Sequence, residues 1–166
     1  MTVQTGRTVN TRVTFVMGDA GNGTLREIPI SGFSALGHTY EEHDLTAFQD
    51  AVKGSLPGMP DAPIDIHGPW SSKVAAAVGT LSGSHTILAA IQAAQVTTIT
   101  PLTLDFRFGV QHAWETGEPN FGITATATSG YYLSKYVVND DMTYDASFRL
   151  VAGSTLPAFG TSDETT

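Results

Sequence analysis

Two histidines and three carboxylates crowd into one short stretch, His38-Thr39-Tyr40-Glu41-Glu42-His43-Asp44, and imidazole beside carboxylate is the donor set of a zinc site. Zinc hydrolases place two such histidines at i and i+4, so that both rings reach one ion, with a glutamate as base. Here the histidines are five residues apart, which on a helix turns them about 140° away from each other. An extended backbone could bring them together with Glu41 or Asp44 as a third ligand, but a group of this composition in a polar connection reads first as a solvated loop. His67, His85 and His112 stand singly beside Gly, Ser or Gln and read as surface or hydrogen-bonding histidines.

Other chemistries find less support. Gly32-Phe33-Ser34-Ala35 and Gly79-Thr80-Leu81-Ser82-Gly83 both miss the G-x-S-x-G nucleophile elbow, and no phosphate-cradling glycine motif occurs. The chain has no cysteine, so thiolate nucleophiles, thiolate metal sites and disulfides are excluded together. Nothing among the 16 acids selects a glycosidase pair. No enzyme and no cofactor is expected. With a net charge of −8, the chain should repel phosphate backbones, and Tyr131, Tyr132 and Tyr136 beside Lys135 read as sheet packing before a nucleic-acid platform. Met1 to Asn10 lacks the pattern of a secretory signal. The apolar run near Ser84 to Val96 is interrupted by His85, Gln92 and Gln95, so no membrane insertion is expected.

The elements that would position these residues are mostly strands. At 166 residues the chain suits one domain. Runs rich in Thr, Val, Ile, Phe and Tyr at Thr8 to Met17 and Leu25 to Ile30 flank a Gly/Asn/Asp cluster and predict a hairpin. Pro60 to Gly68 alternates Ile64 and Ile66 with polar neighbours. In Thr97 to Phe108, Leu102, Leu104, Phe106 and Phe108 share a face opposite Thr103, Asp105 and Arg107, predicting a strand that buries one side only. Ile123 to Thr128, Tyr131 to Val138 and Met142 to Val151 complete the set, the last two joined by an Asn139-Asp140-Asp141 turn. Tyr132 and Tyr136 are expected on one face. Ser84 to Gln95 predicts a helix, with Ser84 as cap and Ile87, Leu88 and Ile91 inward. Leu45, Phe48 and Val52 allow a second, short helix. The fold class is mostly β: an antiparallel β-sandwich or barrel with one flanking α-helix.

One stretch carries a family likeness. Thr46, Phe48, Asp50, Lys53, Leu56, Pro57, Gly58 and Asp61 follow in order a Thr-x-Phe-x-Asp element, a lysine, an aliphatic-Pro-Gly and an Asp leading into the Ile64 to Gly68 strand. This pattern resembles the major tail (tail tube) proteins of long-tailed bacteriophages, especially those of actinobacterial hosts. Gln49 departs from it where a glycine is usual. A Ser-Gly-Tyr-Tyr strand start at Ser129 to Tyr132 and the final strand to Gly153 agree more loosely.

The resemblance implies a structural virion protein, assembled in the host cytoplasm into stacked hexameric rings through whose lumen genomic DNA passes. It also implies tape-measure and tail-completion proteins as partners. On that reading Ser34 to Met59 is a long loop reaching the adjoining ring. Its contact residues would be His38, Tyr40, Glu41, Glu42, His43, Asp44, Thr46, Phe48, Asp50, Lys53, Pro57 and Gly58. Met1 to Gly6 and Gly160 to Thr166 are expected to be flexible termini. Two other readings stand beside it: a capsid decoration protein, and a small ligand-binding or metal-dependent β-barrel using the His38 to Asp44 group.

Overall fold

In the computed structural model, residues 12–19, 23–47, 54–110 and 114–161 are described. They form eleven strands and a helix in the order β1 (Val13–Gly18), β2 (Leu25–Ile28), β3 (Gly32–Phe33), β4 (Thr39–Asp44), β5 (Ser55–Asp61), β6 (Ile64–Pro69), α1 (Ser84–Gln95), β7 (Leu104–Phe108), β8 (Asn120–Ile123), β9 (Tyr131–Val138), β10 (Thr143–Leu150) and β11 (Ala158–Gly160). A five-stranded sheet, β11-β8-β7-β1-β2, faces a four-stranded one, β3-β6-β10-β9, and every strand pairing is antiparallel. Among the described residues β4 and β5 pair only with each other.

The period-two patterns explain the core. Phe15 and Met17 of β1, Leu104 and Phe106 of β7, Ile64 and Ile66 of β6 and Tyr144, Ala146 and Phe148 of β10 all point between the sheets. Across the gap the Phe15 and Phe148 rings lie 6.1 Å apart, and Phe33 reaches to 5.1 Å from Phe106. Ile87, Leu88 and Ile91 of α1 close one side of the sandwich, as their helical spacing predicts. The fold class is thus the one expected from the sequence.

Several details differ. Ser84 does not cap α1. Gly83 occupies that position, while the buried Ser84 hydroxyl donates to the Pro69 carbonyl at 2.9 Å and accepts from Ser71 N–H at 3.0 Å, tying the helix start to the end of β6. The strand predicted from Thr97 begins only at Leu104, and both its faces are buried. Asp105 and Arg107 sit on the face expected to be wet, but their charges meet at 2.8 Å, Asn120 donates to Asp105 at 3.0 Å, and the Trp114 ring covers the guanidinium at 4.7 Å.

The strand predicted at Ile123 to Thr128 lies earlier, at β8. Beyond it Thr126 and Ser129 bond each other across a turn instead of joining a ladder. Tyr132 and Tyr136 do not share a face. The register of β9 against β10 shifts between Leu133 and Lys135, a β-bulge that brings Tyr131, Leu133 and Tyr136 inward together. The Asn139 to Asp141 turn closes the β9–β10 hairpin as expected, with Met142 taking φ 58°.

Candidate inter-subunit surface: the β4–β5 ribbon

The segment from Ser34 to Met59 is not one long loop. Ser34 still belongs to the sandwich, since its N–H donates to the Asp65 carbonyl at 2.8 Å and its hydroxyl accepts from Asp65 N–H at 3.0 Å. From Thr39 the chain becomes a two-stranded ribbon that runs to Asp61, with Thr39 opposite Asp61, Tyr40 opposite Pro60, His43 opposite Leu56 and Asp44 opposite Ser55. Sequence reading missed these strands because both ribbon faces are wet, so no alternation marks them, and because Pro57 and Pro60 read as strand breakers. The strand predicted from Pro60 is correspondingly split, β5 ending at Asp61 and β6 beginning at Ile64.

The motif residues shape this ribbon. Its register shifts between Tyr40 and Glu42, opposite Pro57 to Pro60, and Gly58 fills the irregularity. A Cβ on Gly58 would lie 2.9 Å from both the Glu41 carbonyl oxygen and His43 Nε2, so the glycine lets the strands close there. At the far end Asp44 accepts from Thr46 N–H at 2.9 Å, Leu45 N–H donates to the Gly54 carbonyl at 3.0 Å, and the Thr46 hydroxyl both accepts from Gly54 N–H at 2.9 Å and reaches its carbonyl at 3.2 Å. Thr46 bonding, through its side chain first and its backbone second, holds the Asp44 carboxyl below the usual carboxylate range. Phe48, Asp50 and Lys53 lie outside the described residues, and so does most of the short helix allowed by Leu45, Phe48 and Val52; its described start, 45–47, is not helical.

The histidines do not converge. His38 Nε2 is hydrogen-bonded to the Pro157 carbonyl, joining the ribbon's root to the approach of β11, whereas His43 lies against Gly58. Among the described residues no three His, Asp or Glu side chains gather as metal ligands. Glu41, Glu42 and Asp44 are all exposed. So are apolar residues of the ribbon and its end: Tyr40 at 53%, Leu45 at 61%, the motif's Leu56 at 54% and Met59 at 89%. The ribbon is therefore acidic and greasy at once, with neither face covered. Sequence held a trace of this, in that Leu56 and Met59 lie among prolines and glycines with no periodic partner. Among the described residues no helix is long and apolar enough to cross a membrane.

No family model matches the sequence, and neither does the sequence of any curated protein. The fold has counterparts among solved structures. A chain of the PVC sheath–tube complex of an extracellular contractile injection system, in the extended state, superposes with a TM-score of 0.57 at 10% identity, over 93% of this chain and 92% of that one. A chain from the sheath/tube terminator of the same kind of system gives 0.55 at 10% identity, over 93% and 96%. A chain from the six-fold symmetrised baseplate of the anti-feeding prophage gives 0.62 at 8% identity, over 96% and 97%. At such identities the likeness is one of fold, and it runs nearly end to end.

Proposed function

We propose that this chain, folding as one domain, is a non-catalytic structural subunit of a phage-type tail, self-assembling into stacked hexameric rings that form a tube. The observation that carries the reading is the β4–β5 ribbon. An isolated two-stranded ribbon is marginal in water, and one bearing Tyr40, Leu56 and Met59 on open faces gains its stability when another surface covers it. A neighbouring subunit is the simplest such surface.

Three further facts support it. The sandwich is shared with chains of contractile injection systems, and one of those assemblies is six-fold symmetrised. The described residues of the motif that resembles tail tube proteins, Thr46, Leu56, Pro57, Gly58 and Asp61, lie in the ribbon and its far end. A net charge of −8 suits a conduit wall along which genomic DNA would slide without being held. Tape-measure and tail-completion proteins would then be the partners at the tube's ends, and the mature location the virion after assembly in the host cytoplasm.

Electron microscopy of the purified protein tests this directly. Rings or tubes are the expected outcome at high protein concentration. A protein that stays monomeric and featureless, or that binds preformed empty capsids instead, overturns the reading.

A further inference from the structure

The outer edge of β9 is met first by backbone and then by side-chain amides of the same chain. Tyr131 exchanges both peptide hydrogen bonds with Leu102, whose N–H donates at 2.7 Å and whose carbonyl accepts at 3.1 Å. That is the two-bond exchange of one antiparallel residue pair. Two residues along, Leu133 turns its N–H and C=O to the same edge, and no backbone among the described residues comes to meet them. Instead the Gln95 side-chain amide, oriented to satisfy both partners, donates to the Leu133 carbonyl at 2.9 Å and accepts from its N–H at 3.2 Å. Beyond the bulge, Gln92 Nε2 makes a long bond of 3.5 Å to the Tyr136 carbonyl. One turn of α1 thus continues, with amides, the line that Leu102 begins with backbone.

We propose that Gln95, assisted by Gln92, is a surrogate strand residue that keeps the β9 edge from pairing with the β9 edge of a second copy. A primary amide presents an N–H and a C=O side by side on one edge, as the N–H and C=O of a single strand residue do, so it can satisfy Leu133 as a neighbouring strand would. An unguarded edge is the ordinary route to edge-to-edge association. The second copy is the fitting intruder, because an antiparallel pair of identical edges is self-complementary about a two-fold axis. Such a pair would also cover Val137 and Val138, which are 39% and 43% exposed at the strand's open end. The β2 edge of the other sheet is met by backbone at Glu27, whose carbonyl accepts from Ser82 N–H at 2.9 Å, while the Arg26 side chain donates to the Ala76 carbonyl at 3.0 Å and holds the same segment alongside. The guard on β9 does not depend on the ribbon or on tube formation.

Residue-resolved hydrogen exchange of the full chain, with thioflavin fluorescence for intermolecular sheet, tests it. In the parent protein Leu133 N–H should exchange slowly. In Gln95→Ala it should exchange at least about tenfold faster while the β10 amides hold their rates, and Gln92→Ala/Gln95→Ala should raise thioflavin fluorescence severalfold at equal concentration. Equal Leu133 exchange in parent and Gln95→Ala, or no rise in fluorescence for the double variant, overturns the proposal. If Gln95→Ala fails to fold, Gln95→Glu decides. Its carboxylate still accepts from Leu133 N–H, so that amide should stay protected, and exchange at the rate of an open edge overturns the assignment.

Discussion

A Cβ at Gly58 would meet the Glu41 carbonyl, which is backbone and cannot step aside, as well as the movable His43 ring. Gly58→Ala should therefore strain the ribbon by about 1–3 kcal/mol, the range for an extra methyl in a filled space. Because the ribbon packs on itself and not on the core, that strain should leave the sandwich's melting temperature unchanged while weakening self-association. Circular dichroism against sedimentation of the variant separates the two. Phe148, fully buried and facing Phe15 across the sheets, behaves oppositely. Phe148→Ala should cost about 3–5 kcal/mol in denaturant unfolding through the cavity it leaves. Phe148 was legible as a core residue from its alternation with Ala146 and Tyr144. The buried Asp105 and Arg107 were not, because charged side chains at every second position read as a wet face unless their partners are known. The partners here are each other, Asn120 some fifteen residues on, and a tryptophan from a connecting segment.

At the scale of elements, the separation of ribbon from sandwich sets where a deletion can be made. Removing Ser34 to Met59 whole would strip Ser34 from β6 and Leu36 from the core's margin. Replacing residues 40–60 by Asn-Gly, between the paired Thr39 and Asp61, keeps both anchors and supplies a two-residue hairpin turn. This variant should melt within about 4 °C of the parent, the shift that about 1 kcal/mol produces at this chain length, and should form no tubes by electron microscopy. Normal tubes from it would show that the ribbon does not join subunits. Elements with one wet face and one dry face were readable from the sequence: β6, β10 and α1 lie close to where period two and period 3.6 put them. What escaped were elements outside that contrast. The ribbon is wet on both faces, β7 is dry on both, and the short β11 owes its place to pairing with β8.

For the whole molecule, three inward tyrosines link stability to alkaline pH. Burial pushes the Tyr131, Tyr136 and Tyr144 hydroxyls above their ordinary value near 10, with Asp61 adding to the effect at Tyr131 and Tyr136 adding to it at Tyr144. Tyr131 and Tyr144 donate to the Ala62 and Pro29 carbonyls at 2.8 and 2.7 Å, bonds that a phenolate cannot make. A folded value raised above the unfolded one gives stability that is fully present below about pH 10. It is withdrawn as pH rises toward the folded value, at about 1.4 kcal/mol per pH unit for each of Tyr131 and Tyr144, whose shifts are large. Denaturant midpoints should accordingly hold steady from pH 8 to about 10 and fall steeply above it, in step with the tyrosinate absorbance of the unfolding chain. Midpoints that decline evenly from pH 8 onward would show that the tyrosines are not responsible.

The ring of Trp114 lies over Arg107 on the far face of the five-stranded sheet, while Trp70 lies 5.4 Å from His85 where α1 meets β6, and the chain has two tryptophans in all. The molecule is thus labelled by nature at two separate joints. Trp70→Phe and Trp114→Phe each leave one fluorophore in place, so emission from a single joint can be followed during unfolding. If both signals change at the same denaturant concentration, sandwich and helix come apart as one cooperative body; if Trp70 reports first, α1 lifts away ahead of the sheets.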